Sequence, residues 1–241
     1  MKYIKTALLC LFLFSIQVSF SQNPISDSIQ YEHAVKNARD FYRASMKENL
    51  LLFNGSEYGS FGHNSFGSPF FESDSLMKGS ILFMDNWYED LNFQYDLMID
   101  KLIMYDYKKS YSVTLAGEQI KEFIINGHHF YRLENIASSN TAGFYENLVE
   151  GVNKLWARRE KKVVLSANAE DRTSRFTQYN SFFIQKNRLF YPVADENSLL
   201  KTMEDKKDDI KKYIRKNKIK FRKQFESAAV KVLVYYNQLM P

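Results

Sequence analysis

The stretch QYDLMIDKLIMYD, residues 94–106, sets Asp96, Asp100 and Asp106 among aromatic and aliphatic residues. Three carboxylates in so short a span are raw material for a divalent-cation site or for acid–base work. The spacing argues otherwise. Asp96 ends an alternation in which Leu91, Phe93, Tyr95 and Leu97 fall on one face of a strand, and Asp100-Lys101 stands where the chain must turn into the next strand. Aspartate at such a turn bonds nearby backbone N–H groups. Asp106 follows the next short strand, so the three stand at strand ends without a reason to converge. No Asp-x-Asp-x-Asp-Gly calcium loop is present. Turn chemistry and solvation at the strand ends are expected.

The other chemistry-bearing residues are equally sparse. His128 and His129 are adjacent on a strand, point to opposite faces and are expected as one in, one out, not as ligands of one ion. The glycine-rich stretch GSEYGSFGHNSFGSPFF lacks a Gly-Lys-Ser/Thr phosphate loop, and no Gly-x-Ser-x-Gly elbow occurs. Phe61, His63 and Phe66 at its tip are the candidate ligand contacts, if a rigid scaffold holds the loop. No catalytic residue is identified. No metal site and no cofactor are expected. A hydrolase remains the enzymatic alternative, with Asp90, Asp96 or Asp100 meeting His128 or His129 in space.

The chain of 241 residues opens with MKYIKTALLCLFLFSIQVSFSQNP. Lys2 and Lys5, an apolar run from Ala7 to Val18, and Ser19 and Ser21 before Gln22 form the three parts of a secretory signal. Residues 1–21 are therefore expected to be removed, leaving a soluble mature chain, residues 22–241, with no further spanning segment. Cys10 is the only cysteine and lies inside the apolar run, with Leu9 before it, which disfavours lipidation. The mature chain then has no disulfide, thiolate zinc site or cysteine nucleophile. Its stability must come from its core.

These residues are carried by a β-rich α+β pattern. A first helix is expected within SDSIQYEHAVKNARDFYRASMKENLL, from its three- and four-residue apolar steps. From Gly79 onward, short aromatic and β-branched runs recur about every ten residues: GSILFM, WYEDLNFQYDLM, DKLIMYD, YSVTL, QIKEFII, HHFYRL, AGFYENLV, VNKLWARR, KKVVLS, RFTQYNSFFIQ and RLFYPV. Asn126-Gly127 is a type I′ hairpin signal, and Glu150-Gly151 and Lys186-Asn187 suggest further hairpins. The pattern predicts one antiparallel meander, a curved sheet or barrel, in a single domain. Two C-terminal helices follow, one capped by Asn197 or Ser198 and one over about 223–239. Phe93, Tyr95, Phe130, Phe144, Trp156 and Phe183 are expected to point inward, as core rather than as the lining of an apolar-ligand or glycan cavity.

Net charge is +5, and residues 201–223 carry eleven Lys or Arg against four Asp or Glu. Acid–base spacing of three and four residues marks most of this run as a solvated helix face. RKNKIKFRK is less balanced and could meet anionic lipid or glycan surfaces. Nucleic acid is not an expected partner of an exported chain of this charge.

LFNGSEY, GSILFMDNWYEDLNFQYDLMIDKLI, GFYENLVEG and DKKDDIKKYIRKNKIKFRK resemble blocks in a family of uncharacterised secreted proteins of Bacteroidetes-type bacteria. The resemblance implies an exported bacterial protein, in the periplasm, at the outer membrane surface or outside the cell. It assigns no activity and no site residue. The expected role is a non-enzymatic binding or structural module of the cell envelope, with envelope proteins or glycans as partners.

Overall fold

The structure, a computed structural model, describes residues 31–32, 34–35, 37–38, 55–59, 65–105, 111–134, 136, 142–165, 173–222 and 224–240. The chain divides into two units, residues 1–50 and 51–241. In the first, the described residues between Tyr31 and Ala38 are helical, as their apolar periodicity predicts. The rest of that expected helix lies outside the described residues.

The second unit is built on one mixed sheet of eleven strands. They are β1 (Ser65–Phe66), β2 (Met77–Phe83), β3 (Asn86–Asp96), β4 (Lys101–Tyr105), β5 (Ser112–Thr114), β6 (Ile120–Ile125), β7 (His128–Leu133), β8 (Gly143–Val149), β9 (Lys154–Leu165), β10 (Ser174–Lys186) and β11 (Leu189–Val193). The spatial order is β1-β10-β9-β8-β7-β6-β2-β3-β4-β5, with β11 on the free side of β10. All the pairings are antiparallel except β1 with β10, which is parallel. The expected strand runs are present, but VNKLWARR and KKVVLS are one strand, β9.

Tight hairpins set the register. Asn126 and Gly127 have φ of 48° and 82°, the two positive values a type I′ turn requires. Two further two-residue turns do this without glycine, at Met84-Asp85 and Asn187-Arg188. The second is one residue beyond the expected Lys186-Asn187.

The sheet is strongly curled and does not close into a barrel. β8 and β3 stand four strand steps apart, about 19 Å in a flat sheet at roughly 4.8 Å per step. Yet the rings of Tyr95 and Phe144 are only 6.1 Å apart. The curl has local causes. A register shift between Gly79 and Ile81 sets Glu89 and Asp90 opposite one residue, with Asp90 at φ 53°, and further shifts interrupt β2–β6 and β8–β9. Such bulges bend and twist a strand. At Gly79 a Cβ would collide with the Ile124 carbonyl and the Phe93 ring, so only glycine lets the layers approach there.

Inside the curl Phe93, Tyr95, Phe123, Phe130 and Phe144 are fully buried and packed ring on ring, with Phe123 stacked on Phe130 at 4.8 Å. These rings occupy the space where a ligand cavity was the alternative. Trp156 and Phe183 were expected on this side. They lie instead on the other face with Tyr145, because strand pairing puts Trp156 opposite Asn147, out of phase with Phe144. β8 is apolar on both faces, so alternation could not assign a side.

The two expected helical segments follow, the first of them in two pieces, α1 (Glu196–Thr202) and α2 (Lys207–Lys216), and the second as α3 (Phe225–Gln238). The cap of α1 is Asp195, in a reciprocal capping box with Ser198, rather than Asn197 or Ser198. A tight turn over Glu204–Lys206 separates α1 from α2. It presents the Asp205 carboxylate to Tyr236 Oη at 2.8 Å and Lys186 Nζ at 2.7 Å, bonds that anchor the break. The helices bury Leu199, Met203, Ile210, Ile214, Val232, Leu233 and Tyr236 against Leu155, Ile184 and Val193 of the sheet.

Candidate functional site

The β3–β4 turn settles two of the three aspartates. Asp96 is fully buried, not solvated at a strand end. Its Oδ1 accepts from Met98 N at 2.8 Å and Ile99 N at 3.2 Å, and its Oδ2 from Tyr58 Oη at 2.7 Å. Turn chemistry is therefore its role, with a tyrosine replacing solvent. Burial first, then the bond and charge of Asp96, push the Tyr58 hydroxyl far above its ordinary range.

Asp100 does more than turn the chain. At φ 57° it accepts from Tyr95 Oη at 2.5 Å, Phe144 N at 3.3 Å and Arg158 Nη1 at 2.9 Å. It thereby ties β3 to β8 and β9 across the open side of the curl. Arg158 reaches it because residue 143 is glycine; a Cβ there would overlap the guanidinium. Burial opposes the Arg158 charge, and Asp100 more than offsets that, leaving it firmly protonated. Lys161 closes the same seam, giving its N–H to the Leu97 carbonyl at 3.1 Å and its ammonium to the Ser68 and Phe70 carbonyls at 3.0 and 2.5 Å. Burial lowers its pKa, and Asp74 and Asp96 offset that only in part. Asp106 lies outside the described residues.

The histidines point to opposite faces as expected, but both are about one-third exposed rather than one in and one out. His129 stacks on Tyr131 and places Nε2 2.7 Å from Glu122. His128 sits between two carboxylates, with Nδ1 2.5 Å from Glu146 and Nε2 3.1 Å from Glu72. Glu146 is buried and also accepts from Arg159 at 2.7 Å, and Arg159 grips Glu226 of α3 with two bonds of 2.6 and 2.8 Å. This ionic chain joins β7, β8, β9 and α3. Asp90, Asp96 and Asp100 take no part in it, so the aspartate–histidine pairings of the hydrolase alternative do not form. One signal for it stood in the sequence: Glu146 is a lone acid in the apolar run GFYENLV.

The candidate site is the cleft at the open side of the curl, about 530 Å³ in volume. Asp100, Lys101, Glu118, Arg132, Arg158 and Glu160 line it, with residues 114–117. Concave clefts with a few convergent polar groups are recurrent ligand sites. Arg158 is committed to Asp100. Arg132 is not: its guanidinium lies 5.7 Å above the Phe144 ring and gives one bond, Nη1 to the Gly117 carbonyl at 3.2 Å. Among the described residues neither Arg132 nor Lys101 has a carboxylate partner. A guanidinium held by its stem, with donors left over, suits a planar anion.

Phe61 and His63 lie outside the described residues. Phe66, in β1, is 61% exposed and lines a separate hollow of about 300 Å³ with Val164, Leu165 and Arg175. Among the described residues no group of three or more His, Cys, Asp or Glu is placed to hold a metal ion, and no helix is long and apolar enough to cross a membrane. In comparison with known proteins, the chain matches no family model, no curated protein and no solved structure.

Proposed function

We propose that this chain is an exported, non-enzymatic binding module of the bacterial cell envelope, and that its cleft takes a small ligand bearing a carboxylate or phosphate. The observation that carries the reading is Arg132, a half-buried guanidinium on an aromatic floor, with one carbonyl partner and a cleft in front of it. The aspartates, Arg158 and His128 at the seam are already engaged. Asp96 serves the turn and Tyr58, Asp100 serves Tyr95 and Arg158, and the His128 chain ties sheet to helix. Groups so occupied fit a scaffold better than a proton-transfer site, in which one partner must be left for substrate. The basic, apolar and small-residue segments of residues 1–21 support export. Envelope glycans with uronate or phosphate groups, and acidic side chains of envelope proteins, have the matching chemistry.

The test is a thermal-shift screen of the purified protein with inorganic phosphate, citrate, glucuronate and glucose. The reading predicts stabilisation by one or more of the anions and none by glucose. Equal response to all four would contradict the reading, and turnover of ester, phosphate or glycoside substrates that is lost in His128→Gln would replace it with an enzymatic one.

A further inference from the structure

The end of α2 carries a surface that the cleft does not explain. α2 stops in a two-bond Schellman motif, with Ile219 N to the Ile214 carbonyl at 3.1 Å and Lys218 N to the Arg215 carbonyl at 3.2 Å. The residue between, Lys218, has φ of 51°, a position where glycine is strongly preferred. Ile219 and Phe221 then turn into the helical core, half-buried against it. Lys218, Lys220 and Arg222 consequently alternate outward, beside Arg215 and Lys216 of the last helical turn, and all five are exposed. Among the described residues none of the five forms an ion pair, whereas Lys207 and Lys212, nearer the start of α2, pair with Glu204 and Asp209. No acidic residue occurs between Asp209 and Glu226, and Glu226 is held by Arg159.

Cations at a helix C-terminus offset the helix dipole, which accounts for Arg215 and Lys216. It does not account for three more beyond the helix, one of them where glycine would fit with less strain. We propose that this basic strip docks the protein on a lipid bilayer surface containing anionic headgroups. Charge complementarity selects an anionic partner. The backbone that carries the cations is anchored by Ile214, Ile219 and Phe221 beneath it, so the strip faces a single surface and suits a partner that presents many anions side by side. Headgroups diffuse laterally and do so readily. Tyr213 and Tyr235, stacked at 4.0 Å and half-buried on α2 and α3, add the amphipathic rings that favour a headgroup layer. The proposal is independent of the cleft and its ligand.

The experiment is co-sedimentation of the protein, purified from an exporting host, with vesicles of phosphatidylcholine alone or mixed with phosphatidylglycerol. Each cation near such a surface contributes about fivefold in partition, so Lys218→Gln/Lys220→Gln/Arg222→Gln weakens binding by roughly a hundredfold. Binding is expected only on the mixed vesicles and falls steeply with added salt. A circular-dichroism melt shows that the triple variant is folded. Equal binding to both vesicles, no loss in the triple variant, or retention on a sulfated glycan column without vesicle binding overturns the proposal.

Discussion

Replacing Asp100 tests whether the β3–β4 turn is what ties the curled sheet together. Asp100→Ala leaves the hydroxyl of Tyr95, a fully buried residue, without its acceptor, a loss of about 1–3 kcal/mol. It also removes a charge-assisted bond to Arg158 in which both side chains are at most one-fifth exposed, about 1.5–3 kcal/mol more. Arg158 keeps the Phe144 carbonyl and a 3.7 Å approach to Glu160, so the sum is held to about 3–5 kcal/mol. A domain has about 5–15 kcal/mol in all. Asp100→Asn keeps an acceptor and tolerates φ 57°, so it should cost only about 1–2 kcal/mol. Urea unfolding of Asp100→Ala, Tyr95→Phe and the double variant isolates the pair. Once the hydroxyl is gone, deleting its acceptor should cost about 1–2 kcal/mol less. Additive losses, or an Asp100→Ala variant within about 0.5 kcal/mol of the parent, would refute the reasoning.

Alkali should unfold the protein through Tyr95 and Tyr58, whose folded pKa values lie above the ordinary 10.0, in both cases chiefly through burial. Above that pH the unfolded chain releases protons that the folded chain keeps, so stability falls as pH rises, by up to about 1.4 kcal/mol per pH unit for each tyrosine. Urea midpoints should drop beyond pH 10 and drop less steeply in Tyr95→Phe; a flat profile would contradict the burial of these hydroxyls. Arg159→Met leaves the buried Glu146 carboxylate with His128 as its remaining partner and should cost about 2–4 kcal/mol, partly regained by adding Glu146→Gln; equal loss in the single and double variants would show that the ion pair is not the cause. Lys218→Gly relieves the positive φ and should raise stability by about 1 kcal/mol; a loss instead would mean that the turn is not strained.

What the sequence made legible was local. The period-two alternation placed the strands, Asn126-Gly127 placed a hairpin, and the aspartate chemistry of the β3–β4 turn followed from neighbouring N–H groups. The curl was not legible, because it comes from bulges at Asp90, Lys121 and Leu148, each an offset of one residue that composition does not mark. Asp100 and Arg158 are 58 residues apart, and Arg159 and Glu226 are 67 apart; such pairs exist only once the sheet has rolled and α3 has docked. The break before α2 was hidden for a similar reason. Leu199, Met203, Ile210 and Ile214 fit one continuous helix face, and only Tyr236 and Lys186 select the broken form. The candidate cleft was not legible because Arg132, although in phase with the inward Phe130, meets Phe144 and Gly117 only once β7 and β8 have paired and the chain before β6 has folded against them.

The most direct measurement is calorimetric titration of the parent protein and of Arg132→Ala with whichever anion stabilises it most in the thermal screen. Loss of charge-assisted hydrogen bonds worth about 1.5–3 kcal/mol predicts affinity about 10–150-fold weaker in the variant, whose melting temperature without ligand falls only by what the Gly117 bond and the Phe144 contact contribute. Affinity equal in the two proteins would contradict the assignment of Arg132 and its cleft as the binding site.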